Sequence, residues 1–253
     1  MIKVVCWKWN KAGYRSKFEG HHVNVLRDMV KRHTTVEHEF ICITDDSTGI
    51  DPDIKVIPLW ANPAPHYGAE NKPNCFVRLR AFSDEMERLI GERFIWLDLD
   101  VVILSNIDHI LNDQSDFRIW RVDDERMPCN GSMVMMRAGS RSEIWNKFNP
   151  ADVHPVHSYR MGTGLVGSDQ AWIAKNLKPE DKFFGREDGV YSFRCHVKKQ
   201  GLQPNTCIVF FHGEWDPWMQ EVQQRYPWVA KAYRLNKGED NDRVTVTTNA
   251  GSR

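Results

Sequence analysis

Two aspartates one residue apart, Asp98 and Asp100, interrupt an apolar run in the segment FIWLDLDVVIL (94–104). Burying an unpaired carboxylate costs free energy, so a pair in such a run has to be neutralised. A divalent cation is the usual partner, because carboxylate oxygens are ligands of Mg²⁺ and Mn²⁺. In an extended strand, residues two apart point to the same side, so both carboxylates can reach one ion. The alternative is a pair of turn or capping aspartates, which explains most matches to the tripeptide alone. The apolar context favours the metal site.

Composition and charge limit the class of protein. Lysine plus arginine and aspartate plus glutamate are balanced at 34 each, so no global field attracts nucleic acid or an anionic membrane. Six cysteines are scattered without a Cys-X-X-Cys pair, which favours free thiols in a reducing compartment. The opening MIKVVCWKWN has too short an apolar stretch for a signal peptide, and no stretch is long enough for a transmembrane helix. We therefore expect a cytoplasmic protein without a transmembrane segment or a nucleic-acid partner.

Apolar runs and helical periodicities alternate along the chain. The predicted strands are 2–7, 39–46, 54–60, 93–100, 116–122, 131–137 and 207–212, and the predicted helices are 21–32, 75–90, 140–148 and 168–177. This order predicts an α/β fold with a mainly parallel sheet flanked by helices, formed as a single domain by residues 1–235. The polar segment 236–253 is predicted to be a flexible tail. Ligands of such sheets bind at the carboxyl ends of the strands, where Asp45, Asp98 and Asp100 fall.

Two classes of enzyme place an Asp-X-Asp pair after an apolar strand. In haloacid dehalogenase-type phosphatases the first aspartate, here Asp98, is a nucleophile on the first strand of the domain. Residues 1–97 precede it here, and no downstream lysine and acidic pair follows in the expected order. In nucleotide-sugar glycosyltransferases of the Rossmann-like GT-A fold, the pair comes after a nucleotide-binding half. The position in the chain favours the glycosyltransferase.

Three further segments sharpen this choice. They are CNGSMVMMRAG (129–139), GSDQAWI (167–173) and FFHGEWDPW (210–218). Together with the aspartate pair, they resemble the glycogenin-like and lipopolysaccharide galactosyltransferase-like family (family 8-type) of retaining GT-A enzymes. That family has Tyr-Leu-Asp-X-Asp, Asn-Ser/Ala-Gly, Asp-Gln and His-X-Gly-X-X-Lys-Pro-Trp in the same order. Four matches in one order are more specific than any one of them.

The resemblance implies metal-binding and catalytic roles. Asp98, Asp100 and His212 would bind Mn²⁺ or Mg²⁺, and the single imidazole favours Mn²⁺. Asp169 would hold the hydroxyls of the transferred sugar, and Gln170 would lie near its anomeric carbon. These two are the predicted catalytic residues.

A larger set is predicted to bind the nucleotide sugar. Asn130 would hydrogen-bond the donor sugar, and Gly131 would let the backbone approach it. An aromatic ring such as that of Trp7 can stack on uracil. The full set is Trp7, Lys8, Tyr14, Thr44, Asp45, Lys72, Arg78, Asp98, Asn130, Gly131 and Gly213.

Ordinary structural roles compete with these predictions. His212 lies among aromatic residues and fits a core histidine, and Trp7 fits the core as well as it fits a base-stacking site. Asn130 and Gly131 fit a turn before a strand. Asp169 and Gln170 fit the first turn of a helix that Ser168 caps.

One position departs from the family pattern. Asp216 stands where the family has lysine, and its carboxylate would repel a diphosphate. Either Lys8, Lys72 or Arg78 supplies the positive charge instead, or the last loop is arranged differently.

The expected function is transfer of a hexose from a nucleoside diphosphate sugar, with UDP favoured, to an unknown saccharide, lipid or protein acceptor. The resemblance implies retention of configuration. Two alternatives stay open, namely a catalytically inactive nucleotide-sugar or glycan-binding protein on the same fold, and a haloacid dehalogenase-type phosphatase that uses Asp98.

Overall fold

The computed structural model describes residues 1–10, 17–63, 74–121, 128–149 and 168–236. Its strands are β1 (Ile2–Lys8), β2 (His38–Thr44), β3 (Lys55–Pro58), β4 (Arg93–Leu97), β5 (Val101–Ile103), β6 (Phe117–Trp120), β7 (Asn130–Arg137), β8 (Lys182–Phe184), β9 (Val190–Ser192) and β10 (Ile208–Phe210).

The α-helices of the described residues are mostly short. They are α1 (Gly20–His33), α2 (Met86–Leu89), α3 (Asp108–Leu111), α4 (Glu143–Asn146), α5 (Asp169–Lys175), α6 (Lys198–Gln200), α7 (Gln220–Arg225) and α8 (Pro227–Ala232). Two 3₁₀ helices, Cys75–Phe82 and Arg186–Asp188, and a π-helical turn, Phe193–Val197, complete the set.

A seven-stranded sheet in the order β3-β2-β1-β4-β7-β6-β8 forms the centre of the molecule. Strands β3, β2, β1 and β4 are parallel to one another, as are β6 and β8. Strand β7 is antiparallel to both of its neighbours, so it alone among the seven runs in the opposite direction. The prediction of a mainly parallel sheet flanked by helices is therefore confirmed.

A three-stranded sheet in the order β5-β10-β9 lies next to the large one. Strand β4 ends at Leu97 and β5 begins at Val101, so the Asp98–Leu99–Asp100 segment connects the two sheets. The backbone N–H of Asp98 donates to Ser132 on the large sheet (2.9 Å), whereas the carbonyl of Asp100 accepts from Phe211, which follows β10 (2.8 Å). The prediction of one continuous strand over 93–100 was therefore wrong at its end. The chain bends there because it leaves one sheet for the other.

The sheet is buried on both faces, as expected of a central parallel strand. In β1, Val4 and Cys6 pack into one hydrophobic cluster, whereas Val5 and Trp7 pack into the other. Helix α1 covers the first face with Val23, Leu26 and Val30, all fully buried. Its bounds differ by one residue at each end from the predicted 21–32.

The segment 75–90 does not form the single continuous helix that its spacing predicted. The chain makes a 3₁₀ helix that Asn74 caps by accepting a hydrogen bond from the N–H of Phe76 at 3.0 Å. Ser83 then closes the helix by donating its N–H to Arg80 at 2.9 Å, and α2 follows separately. Leu79, Phe82 and Met86 are nonetheless buried as their spacing predicted. The predicted burial of these apolar residues is thus confirmed, whereas the predicted type of helix is wrong.

Three other predictions concern the chain as a whole. All six cysteines are free, as expected. Of the helices described, none combines the length and the apolar character that a membrane span requires. Asn236 donates its N–H to the Asp28 carboxylate at 2.6 Å, and the rest of the predicted tail lies outside the described residues.

Candidate active site

Four segments that are far apart in sequence meet at one edge of the large sheet. Asp98 follows β4 at its carboxyl end. Because β7 is antiparallel to β4, with Leu97 opposite Met133, the start of β7 at Asn130 lies beside that end. The first turn of α5 and the 3₁₀ helix Cys75–Phe82 pack against this edge. The topology thus gathers residues that the sequence analysis assigned to one site.

Arg78 connects three of these segments. Its Nη1 donates to Oδ1 of Asp98 at 2.6 Å and approaches the carbonyl of Gly131 at 3.3 Å. Its Nη2 lies 2.5 Å from Oδ2 of Asp169. The side chains of Arg78 and Asp169 are 11% and 3% exposed, so this ion pair is buried. Burial by itself would lower the pKa of Arg78, but the charges of Asp169 and Asp98 raise it above its ordinary value. The guanidinium therefore stays charged and fixes both carboxylates.

Gly131 lies between the arginine and the predicted catalytic glutamine. Its N–H donates to Oε1 of Gln170 at 3.3 Å, and its carbonyl accepts from the indole of Trp96 at 2.8 Å. A Cβ added to Gly131 would lie 3.5 Å from Nη2 of Arg78 and 3.6 Å from Oδ2 of Asp169, which are ordinary contacts. The local fold does not require glycine here.

Two residues at the site also have structural roles. Oδ1 of Asn130 accepts from the N–H of Ser132 at 2.8 Å, so this side chain stabilises the start of β7 rather than a turn before it. Ser168 caps α5 by accepting from the N–H of Ala171 at 3.1 Å. The cap places Asp169 in the first turn of α5.

Asp100 lies in a strongly acidic environment. Its Oδ1 is buried and has no hydrogen-bond partner among the described residues. Burial raises the pKa of Asp100 well above its usual range, and the charges of Asp98 and Asp216 raise it further. The pKa of Asp98 is also raised by burial, although Arg78 opposes this. An ionised Asp100 therefore needs a cation nearby.

His212 is held by a residue that the sequence analysis did not single out. Nε2 of His212 lies 2.6 Å from Oγ of Ser192, at the end of β9. Because the preceding residue, Phe211, bonds to Asp100, His212 lies close to the aspartate pair. In the part of the chain that the structure describes, no three His, Cys, Asp or Glu side chains are grouped as metal ligands. The three predicted ligands share a neighbourhood but are not arranged as a coordination sphere.

The predicted nucleotide-binding residues of the first half are largely buried. Trp7 is 5% exposed and packs edge-on against Trp60 and Trp96, with ring centroids 5.3 and 6.1 Å apart, so it is a core residue. Lys8 is 1% exposed and donates to the carbonyl of Asp46 at 2.5 Å. Its charge is therefore not directed at the Arg78 cluster.

The second strand contributes two of the predicted nucleotide-binding residues. Thr44 is buried and donates its hydroxyl to the same carbonyl of Asp46 at 2.9 Å, whereas Asp45 is exposed. Tyr14 and Lys72 lie outside the described residues.

Gly213 follows His212 with φ = 86°, a left-handed conformation that favours glycine. A Cβ built on Gly213 would lie 3.6 Å from Nη1 of Arg194. No sequence motif contains Arg194, so local patterns do not single it out. It reaches the site through the pairing of β9 with β10, which places Ser192 opposite Phe210.

Comparison with known proteins establishes the fold. No family model matches the sequence, and no curated protein matches it. Among solved structures, the galactosyltransferase LgtC in complex with donor and acceptor sugar analogs matches with a TM-score of 0.56 at 11% identity, over 94% of this chain and 98% of that one. An active-site mutant of LgtC, in which a glutamine is replaced by glutamate, gives a TM-score of 0.54 at 12% identity, with the same shares covered.

A second glycosyltransferase has the same fold. GlyE of Streptococcus pneumoniae TIGR4 matches with a TM-score of 0.55 at 10% identity, over 94% of this chain and 67% of that one. At such identities the likeness shows the fold alone. The chain has the GT-A fold that the sequence analysis predicted.

Proposed function

We propose that this protein is a metal-dependent glycosyltransferase that transfers a hexose from a nucleoside diphosphate sugar, with UDP as the nucleotide, to a saccharide, lipid or protein acceptor. The observation that carries the proposal is the double ion pair of Arg78. It joins Asp98 to Asp169 beside Gly131 and Gln170 on a GT-A fold. Three of the four segments that match the motifs of one enzyme family thus meet at Arg78, and this grouping supports the proposal.

The residues present fit a divalent cation. Asp98 and Asp100 offer carboxylate oxygens, and the buried Oδ1 of Asp100 lacks a partner in the described part of the chain. His212 would complete the set, either by giving up its bond to Ser192 or by binding through Nδ1. Mn²⁺ suits two carboxylates and an imidazole, and Mg²⁺ is the alternative. A bound cation would neutralise the charge of the diphosphate leaving group.

The protein side chains would orient the sugar. Asp169 is fixed by Arg78 and would accept hydrogen bonds from the sugar hydroxyls. Gln170 would lie near the anomeric carbon, with its Oε1 held by the N–H of Gly131 at 3.3 Å. Gly131 would allow close approach of the sugar, because no side chain occupies that position. We propose retention of configuration from the resemblance of the four motifs.

A catalytically inactive nucleotide-sugar-binding protein is the second candidate. The observation that favours it is Asp216, which is 3% exposed and raises the pKa of Asp100. A carboxylate at this position would oppose a diphosphate unless another cation compensates. The phosphatase alternative has lost its support, because Asp98 follows the fourth strand of the chain and is ion-paired to Arg78.

A thermal-shift panel tests the proposal. UDP, GDP, CMP and the corresponding sugars are each added with Mn²⁺, with Mg²⁺ or with a chelator. A ligand at about one hundred times its Kd stabilises the folded state by roughly 2.7 kcal/mol, which is readily detected. We expect a uridine nucleotide to stabilise the wild type only with metal, and Asp100→Ala to abolish the effect. Asp84→Ala, at an exposed aspartate, is the matched control. No stabilisation by any nucleotide would contradict the proposal.

A further inference from the structure

Among the described residues, three carboxylates of the site, Asp98, Asp100 and Asp169, have one paired cation among them, Arg78. Asp98 and Asp169 share the guanidinium of Arg78, and Asp100 has a buried oxygen without a partner in the described residues. Lys8 is held at Asp46. A diphosphate brings further negative charge, so a cation that these carboxylates do not already neutralise would strengthen its binding beyond what the bound metal ion supplies.

Arg194 is placed next to the predicted metal ligand His212. It lies in the π-helical turn Phe193–Val197, which begins directly after Ser192. Oγ of Ser192 accepts from the N–H of Cys195 at 3.0 Å and contacts Nε2 of His212 at 2.6 Å. One hydroxyl therefore fixes both the turn that carries Arg194 and the histidine. Nη1 of Arg194 reaches to 3.6 Å from the Cβ position of Gly213.

The guanidinium of Arg194 is available to a ligand. Arg194 is exposed, and among the residues that the structure describes no carboxylate forms an ion pair with it. Arg78, by contrast, is buried between two carboxylates. Arg194 thus combines proximity to the site with a charge that no described carboxylate neutralises.

A second cation borders the same loop, residues 212–216. Nζ of Lys198 lies 4.5 Å from the ring centroid of Trp215. Asp216 is 3% exposed, whereas Arg194 and Lys198 are exposed. Two exposed cations, Arg194 and Lys198, thus border a loop that contains two carboxylates, the exposed Glu214 and the buried Asp216.

We infer that Arg194 binds the diphosphate of the donor and that Lys198 adds to the positive field beside it. This inference rests on the proposed function. The planar guanidinium presents a fork of N–H donors that matches two phosphate oxygens, which a lysine cannot do. Arg194 would then supply the charge that Asp216 cannot supply.

Calorimetric titration of UDP and UMP in the presence of Mn²⁺ tests the inference. The variants are Arg194→Ala, Arg194→Lys and, as a matched control, Lys199→Ala, which removes an exposed charge from the adjacent helix. Losing a charge-assisted hydrogen bond should weaken UDP binding about tenfold or more. We expect Arg194→Ala to show this loss with UDP and little change with UMP, Arg194→Lys to lie between, and Lys199→Ala to match the wild type.

The outcomes separate the inference from the function on which it rests. If the wild type binds UDP and Arg194→Ala binds it equally well, Arg194 does not contact the diphosphate and the inference alone is overturned. An equal loss for UDP and UMP also overturns it, because the effect then does not depend on the second phosphate. If the wild type binds neither nucleotide, the proposed function is wrong, and the inference, which rests on it, is wrong as well. Thermal unfolding of each variant checks that the fold is intact.

Discussion

Nη1 of Arg78 and Oδ1 of Asp98 are joined by a hydrogen bond of 2.6 Å, although the residues are 20 positions apart. The bond connects the 3₁₀ helix Cys75–Phe82 to the point where the chain leaves the large sheet. Since Asp169 bonds to the other nitrogen of the same guanidinium, the relative position of the two carboxylates depends on Arg78. The order of the site therefore depends on one buried cation.

Replacing Arg78 tests this dependence. Arg78→Met would leave Asp98 and Asp169 unpaired in a largely buried site, so we expect the free energy of unfolding to fall by about 3 kcal/mol. Arg80→Met is the control, because Arg80 pairs with Glu85 at the surface and such a pair is worth about 1 kcal/mol or less. Denaturant titration measures both. Equal losses for the two variants would show that the buried ion pairs do not organise the site.

Gly131 offers a substitution that separates binding from folding. Because a Cβ at this position makes only ordinary contacts, we expect Gly131→Ala to change the melting temperature little but to weaken binding of the donor sugar. The nucleotide without the sugar should bind as before. In Gly213→Ala, by contrast, the positive φ of 86° makes the substitution strained, and we expect a loss of about 1 kcal/mol of stability. Unchanged donor binding by Gly131→Ala would argue against a sugar beside the start of β7.

Asp100 is predicted to destabilise the protein when no cation is present. Burial and the charges of Asp98 and Asp216 raise the pKa of Asp100, so its ionised form is disfavoured without a cation. We therefore expect Asp100→Asn, which cannot ionise, to be more stable than the wild type in a chelator at neutral pH. In Mn²⁺ we expect the wild type to be as stable as Asp100→Asn or more stable, because only the wild type gains stability by binding the ion. Thermal unfolding in chelator and in Mn²⁺ measures this. A variant that is less stable than the wild type in both buffers would contradict the account of the acidic cluster.

His33 gives the fold a pH dependence away from the site. Burial, together with the neighbouring charge of Arg32, lowers the pKa of His33 to about 4. In the unfolded chain its pKa is about 6.5, so the unfolded state binds a proton first as the pH falls. Stability is therefore lost between about pH 6.5 and 4, at up to roughly 1.4 kcal/mol per pH unit. Urea titrations at pH 7 and pH 5 should show a smaller loss for His33→Gln than for the wild type, and the exposed His21→Gln should behave as the wild type. Equal losses for His33→Gln and the wild type would contradict the prediction.

The sequence predicted the fold and the grouping of the site because local patterns determine both. Long apolar runs predict central strands, which are buried on both faces. The motif residues fall at the ends of elements, and the antiparallel pairing of β7 with β4 brings the start of β7 beside the carboxyl end of β4. Asp98, Gly131 and Asp169 are close together for that reason. Trp7 could not be assigned in this way, because a buried strand end and a base-stacking aromatic have the same sequence pattern.

The rest depended on contacts that are remote in sequence. The segment 94–104 has the pattern of one long strand although it passes from the large sheet to the small one. The bend at Leu99 could therefore not be predicted from the sequence. The cap at Asn74 and the closure at Ser83 set the bounds of the 3₁₀ helix Cys75–Phe82, whereas its apolar spacing marks only the residues that are buried. Arg194 comes close to Gly213 through the pairing of β9 with β10, which no local signal marks.

Release of UDP from UDP-hexoses in the presence of Mn²⁺ tests the central claim most directly. The protein is incubated with UDP-glucose or UDP-galactose, with and without candidate acceptors, and free UDP is measured over time. We predict that the wild type releases UDP with at least one donor, that a chelator stops the release, and that Asp100→Ala and Arg78→Met release none above background. Metal-dependent binding of UDP without any release would support the inactive binding protein instead, and release that continues unchanged in Asp100→Ala would contradict the assignment of this site.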